Sequence, residues 1–150
     1  MTTVQEPSPD LLGLSGLEQL RATLLRGGAP FGRLLGMEVD ELEEGRAVFS
    51  LVPGERHYNP IGMVHGGIAA TLLDSAMGCA VHSTLPPAVR FTTVDLHVQY
   101  TRAMTATTGR VVAIGETVHL GGRTATAQGR VIDRDGTVLA HGTTTCLIIR

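Results

Sequence analysis

The chain has 150 residues, 43% of them hydrophobic and 17% charged, with a formal charge of −2. That length suits one domain, and a domain of this size buries roughly 70% of its unfolded surface, enough for a core without covalent staples. The composition argues against disorder. All twelve basic residues are Arg, aromatics are 3% of the chain and Trp is absent, so a nucleic acid would find neither a basic face nor stacking platforms.

The remaining bulk properties narrow the class further. The first basic residue is Arg21, which leaves no charged segment followed by an apolar stretch; the expectation is a cytoplasmic protein without a secretory signal. The longest apolar tract, Ile68 to Val81, is interrupted by Asp74 and is too short to span a bilayer, so no membrane partner is expected. Cys79 and Cys146 lie in apolar segments and read as buried, reduced thiols. The histidines show no metal-type pairing, and neither a metal nor another cofactor is expected.

In chain order, residues 1–14 read as a flexible tail, with Pro7 and Pro9 in its polar first part, and 15–150 as one domain. Leu17, Leu20, Leu24 and Leu25 have helical spacing, closed by Gly27-Gly28. Pro30 to Leu35 reads as a shorter helical turn. From Gly36 the chain reads as extended, turns at Glu43-Glu44-Gly45, and continues as an alternating strand from Ala47 to Val52, stopped by Pro53-Gly54. A loop from Glu55 to Val64 leads to His65-Gly66-Gly67 and a helix from Ile68 to Thr84. That helix is apolar nearly all round, which predicts enclosure by protein. Arg90–Thr101, Thr107–Leu120, Arg123–Asp133 and Thr137–Ile149 are rich in Val, Thr and Ile, with Gly121-Gly122 and Asp135-Gly136 at hairpin positions. The pattern predicts an α+β fold: about six antiparallel strands, the last four consecutive, wrapped around one long helix, with a short N-terminal helix.

Asp74 carries most of the chemistry in this reading. It stands in Leu72-Leu73-Asp74-Ser75-Ala76-Met77 with no cationic side chain within a helical turn. A carboxylate there must be paired, hydrogen-bonded, protonated or used. Its two readings are a carboxylate satisfied by backbone or hydroxyl groups and a general base or nucleophile. His65-Gly66-Gly67 reads either as a simple helix start or as free N–H groups able to hold a developing oxyanion. Asn59-Pro60 either starts a turn or offers an amide that orients a water or a carbonyl. Gly66 and Asp74 are separated by about 12 Å of helix rise, too far to act on one reacting centre from one helix. If they cooperate, they do so across a two-fold axis, in a dimer at least.

The string Asn59-x5-His65-Gly66-Gly67-x6-Asp74, between two short strands and four longer ones, resembles the hotdog-fold acyl-CoA thioesterases, most of all their PaaI-like branch. Thr93 to Tyr100 is similar to the family's third strand, and Gly122-Arg123-Thr124 to its hairpin. The resemblance implies Asp74 as general base or nucleophile, the Gly66 N–H as carbonyl polariser and Asn59 as holder of the water or carbonyl. His65 would support the loop, with Gly67 beside it, and Thr93 would assist the carboxylate. Coenzyme A, as part of the substrate, would meet Arg102, Gly122, Arg123 and Thr124, although Arg102 and Arg123 also read as solvated strand-end charges. The expected substrate is an aryl or short- to medium-chain acyl-CoA, and the expected partner a second copy, with a tetramer also open. Small residues at Ala69, Ala70, Ala76 and Gly78 would leave room for the acyl group. Two rival readings are an enoyl-CoA hydratase or dehydratase, encouraged by Asn59-Pro60-Ile61, and a non-catalytic acyl-CoA sensor. The first needs an Asp/His pair ahead of the helix, and the second has no use for Asp74.

Overall fold

The computed structural model describes residues 11–150. Residues 1–10 of the expected tail lie outside the described residues. Residues 11–14 are held to the body: the Leu12 carbonyl accepts from the Ala88 N–H at 3.1 Å and the Leu14 carbonyl from Gln19 Nε2 at 2.8 Å.

Helix α1 (Gly16–Leu25) starts at Ser15, whose hydroxyl accepts from the Glu18 N–H while the Glu18 carboxylate returns to the Ser15 N–H. This reciprocal cap satisfies two first-turn donors. Helix α2 (Pro30–Leu35) has Pro at its first position and ends at Gly36, whose φ of 74° favours glycine. Strands β1 (Met37–Glu43) and β2 (Arg46–Leu51) form the first hairpin. The long helix α3 (Gly66–Ser83) follows, then β3 (Arg90–Tyr100), β4 (Val111–Leu120), β5 (Thr124–Ile132) and β6 (Val138–Ile149).

All six strands join one antiparallel sheet in the order β1-β2-β4-β5-β6-β3. The four strands after α3 follow one another along the chain as expected, though they are not all neighbours in the sheet. β4, β5 and β6 are joined by hairpins, but β3 pairs with β6 and ends the sheet. The connection from β3 to β4, residues 101–110, is ten residues long with a 3-10 turn at Ala106–Thr108, too long for a tight hairpin.

α3 lies across the sheet's concave face. Ala69, Leu72, Leu73, Ala76, Met77 and Ala80 are fully buried there against Ala47, Val111, Ala113, Ala125 and Val131. Each buried Leu or Met of this kind contributes about 1.5–3 kcal/mol of transfer free energy. Small residues set the distance between helix and sheet: a side chain at Gly115 of β4 would overlap the Ala76 backbone. The expectation that α3 is enclosed holds only on this side. Ala70, Thr71, Asp74, Ser75, Cys79 and His82 are half-buried along its flanks and back. The sheet is a single curved layer, so it covers one face of the helix and leaves the rest to other elements.

Candidate active site on the central helix

β3 runs antiparallel to α3 along one flank, which pairs positions on the two elements. Phe91 lies against Gly78, Thr93 against Asp74, and Tyr100 against Gly66. Asp74 is half-buried, not enclosed as its apolar neighbours predict, because β3 closes only one side of it. Thr93 Oγ1 donates to Asp74 Oδ1 at 3.0 Å, and no Arg or His forms an ion pair with this carboxylate among the described residues.

A bulge aims Thr93. Thr93 pairs with Cys146 and Asp95 with Thr145, so Val94 is an extra residue. Without it, the alternation that points Phe91 and Thr93 inward would also turn Asp95 inward. With it, Leu96 and Val98 take the inward positions and Asp95 is exposed.

The amino end of α3 forms a second cluster. His65 is the N-cap, and its Nδ1 accepts from the Gly67 N–H at 2.8 Å. The Gly66 carbonyl accepts from the Tyr100 hydroxyl at 3.1 Å, and its N–H has no acceptor among the described residues. Such a donor at a helix start carries positive partial charge. Arg102 shares a cavity of about 260 Å³ with Gly66, Tyr100 and Met104. Asn59 Oδ1 accepts from the Ile61 and Met63 N–H groups, both at 3.1 Å, so its oxygen serves the turn. That leaves the amide NH2 as the part able to meet a ligand.

His57 was not singled out by sequence reasoning, yet it anchors this loop. It is 4% exposed, its Nδ1 accepts from the Gly54 N–H at 3.0 Å, and Nε2 faces the Leu35 carbonyl at 3.0 Å. The same Nε2 lies 3.1 Å from Arg56 Nε, so three groups hold the ring. The His57 carbonyl in turn accepts from the His65 N–H at 2.7 Å. Only its place in a loop before a helix could have signalled this role.

The expected site residues therefore fall into two groups within one protomer. Asn59, His65, Gly66, Gly67 and Arg102 gather at the start of α3. Asp74 and Thr93 lie beyond the helix's second turn, and Gly122, Arg123 and Thr124 are on their side of the sheet, since Thr124 and Thr92 both pair with Leu147.

The opposite flank of α3 is apolar. A cavity of about 190 Å³ lies between α1, α2, β1 and α3, bounded on the helix by Ser75 and Cys79. Burial, followed by the Asp74 charge, pushes the Cys79 thiol up to about 12, which keeps it protonated and unreactive. Both cysteines are free. The small residues expected to make room for an acyl group do not line this cavity. Ala69 and Ala76 face the sheet and Gly78 faces Phe91, because helical periodicity turns those positions away from β1.

A six-stranded antiparallel sheet wrapped around one long helix, with a carboxylate midway along that helix, defines a hotdog protein. The chain belongs to the thioesterase superfamily, whose family model matches residues 61–140. A Halobacterium salinarum protein with a provisional esterase name is 35% identical over 114 residues, 73% of this chain and 74% of that one. A 1,4-dihydroxy-2-naphthoyl-CoA hydrolase from Listeria monocytogenes is 25% identical over 99 residues, 66% of this chain and 79% of its own. The solved structure of a variant of the phenylacetic acid degradation protein PaaI from Thermus thermophilus is 32% identical, with a TM-score of 0.72. It covers 79% of this chain and 98% of its own. Among the described residues, no helix is long and apolar enough to cross a membrane.

Proposed function

We propose that this protein hydrolyses the thioester of an aryl or short- to medium-chain acyl-CoA, at a site shared between two copies of the chain. The observation that carries the reading is Asp74: a half-buried carboxylate on the central helix, hydrogen-bonded by Thr93 and paired with no cation among the described residues. The aryl-CoA hydrolase among its relatives supports the substrate class.

In the chemistry proposed, Asp74 either takes a proton from an attacking water or attacks the carbonyl carbon itself. A C–O bond forms and the carbonyl oxygen gains negative charge, held by the Gly66 N–H of the partner subunit. Collapse breaks the C–S bond and releases the thiolate of coenzyme A, which takes the proton from Asp74 on the water route and from the hydrolysing water on the direct route. On the direct route water then cleaves the mixed anhydride. Arg102 and the Gly122-Arg123-Thr124 hairpin are the groups available to the nucleotide end of the substrate. No metal or redox cofactor enters these steps.

Among the described residues the outer edge of β3 has no strand partner, which supports the shared site. Antiparallel pairing of β3 with its own copy, centred between Leu96 and His97, puts Thr93 opposite Tyr100 of the partner subunit. Since Thr93 marks Asp74 and Tyr100 marks Gly66 along the helix, each carboxylate then meets the other copy's helix start.

The test is CoA release from a panel of acyl-CoAs by wild type, Asp74→Asn and Gly66→Pro, the last removing the N–H at a position where Pro suits a helix. Both variants are expected to lose turnover. Mixed under subunit exchange, they regain about a quarter of wild-type activity, because half the dimers are hybrids and each hybrid holds one intact site. No recovery on mixing would sink the shared site; full turnover by Asp74→Asn would sink the mechanism. Binding of acyl-CoA by wild type without any turnover would favour a sensor.

A further inference from the structure

We infer that Tyr100 is a positioning residue of the reaction: it holds Gly66 so that the Gly66 N–H keeps one direction, toward the carboxylate of the partner subunit. This rests on the thioesterase reading above and adds to it the group that aims the donor to the carbonyl.

Three observations carry it. The first is a paired contact. The Tyr100 hydroxyl donates to the Gly66 carbonyl at 3.1 Å. Its ring also stands where a Gly66 side chain would be: Cζ lies 3.1 Å, and Cε1 and the hydroxyl oxygen 3.2 Å, from the place a Cβ would take. Gly66 opens α3 and its φ is not positive, so its backbone does not require glycine. The tyrosine ring does.

The second is what the first turn of α3 leaves loose. The Gly67 N–H is taken by His65 Nδ1 at 2.8 Å and the Ile68 N–H by the His65 carbonyl at 2.9 Å. The Gly66 N–H has no acceptor among the described residues. Two successive glycines at a helix start have little steric restraint of their own, and helix ends fray. Tyr100 supplies the restraint from outside the helix, and its own base is fixed. It pairs with Ala140 of β6, the Thr101 and Arg102 N–H groups both donate to the Leu139 carbonyl, and Thr101 Oγ1 donates to the Val138 carbonyl at 2.7 Å.

The third is place. Beyond the Val94 bulge the inward positions of β3 are Leu96, Val98 and Tyr100. In the β3 pairing proposed above, Tyr100 is the cross-strand neighbour of Thr93 of the partner subunit on the same face, with about 5 Å between their Cβ atoms. Thr93 donates to Asp74 and Tyr100 to Gly66, so one pair of neighbours ties the carboxylate of one copy to the carbonyl donor of the other. That pairing also covers a ring that is 56% exposed in the single chain.

The test is Tyr100→Phe, which keeps the ring and removes the hydroxyl. In CoA release kcat is expected to fall about fivefold, the effect of one neutral hydrogen bond, with KM and thermal melting little changed. Tyr100→Phe is then mixed with Asp74→Asn under subunit exchange. Each hybrid dimer holds one site built from an intact Gly66–Tyr100 half and an intact Asp74 half, so the mixture should reach about 30% of wild-type activity. A loss that belongs to the Asp74 half, or to the dimer as a whole, gives about 10%, no more than the mean of the two parents.

A readout without turnover separates the two proposals. In the free protein, Tyr100→Phe should shift the 15N resonance of Gly67, whose amide shares a peptide with the Gly66 carbonyl, and speed hydrogen exchange at Gly67 and Ile68. Those changes support the restraint even if no thioester is hydrolysed, in which case the thioesterase reading alone is at fault. Wild-type kcat in Tyr100→Phe, or a mixture no more active than the mean of its parents, overturns the role of Tyr100 while leaving the thioesterase reading intact.

Discussion

The two flanks of α3 differ as sharply as two surfaces of one helix can. On the β3 side the helix presents Asp74 to Thr93, the strand carries a bulge, and it is the last in the sheet. On the β1 side α1 and α2 close over Ser75 and Cys79 and leave an apolar cavity. Both outer strands end the same sheet, so the difference is not one of topology. It arises because α1 and α2 cover one edge with apolar side chains, while among the described residues the outer edge of β3 has no strand partner. A bare edge is a pairing surface, and a covered one is a container.

The contrast can be broken first at its polar side. Asp74→Asn should reduce kcat about 10³-fold, near 4 kcal/mol of barrier, with melting unchanged within a few degrees, since general-base effects span about 10²–10⁴. Gly115→Ala acts beneath both flanks by pushing the Ala76 backbone off β4. About 3 kcal/mol of stability should be lost in urea unfolding, toward the upper end of overpacking costs because the clash is with backbone. Normal stability in that variant would mean that the helix position is not set by this contact.

Smaller changes sharpen the comparison. Thr93→Val removes the hydroxyl that donates to Asp74 and should lower kcat about tenfold with little effect on KM, from a bond to a charged group of about 1.5 kcal/mol. On the other flank, Ser15→Ala removes the α1 cap and should cost about 1 kcal/mol, or roughly 2–4 °C in melting temperature. A larger loss of stability from Thr93→Val than from Ser15→Ala would reverse the assignment of chemistry to one flank and support to the other.

The smallest effect is expected where the flanks meet, at His82 near the end of α3. Its ring lies between Gln19 of α1, with Nε2 3.3 Å from the amide oxygen, and Phe91 of β3, 5.4 Å between ring centroids. Burial holds its pKa below the ordinary histidine value, even though a helix C-terminus favours the charged form. The unfolded chain therefore binds more protons than the folded one below about pH 6.5. Its contribution is fully present above that pH and is lost as pH falls toward the lowered value. Urea unfolding of wild type and His82→Gln between pH 7 and 5 should show a shallower decline in the variant.

Legibility in the sequence followed the range of the forces involved. The α3 span was readable to within two residues from an apolar run between Gly66-Gly67 and Pro86-Pro87, and the strand hairpins from their turn residues. Thr93 was located only through its resemblance to a family pattern; nothing local announces that Val94 is a bulge. The burial of Asp74 was overread, because hydropathy describes what a helix prefers around it and not how many sides a single sheet can cover.

Periodicity, turn chemistry and the misplaced carboxylate were therefore determined by the sequence alone, since each depends on residues a few positions apart. That β3 crosses to β6, that His57 ties the loop to α2, and that Leu20 to Phe49 enclose a cavity beside Asp74 were decided only by tertiary structure. Those contacts join segments far apart along the chain, and their geometry depends on how the whole sheet curves around one helix.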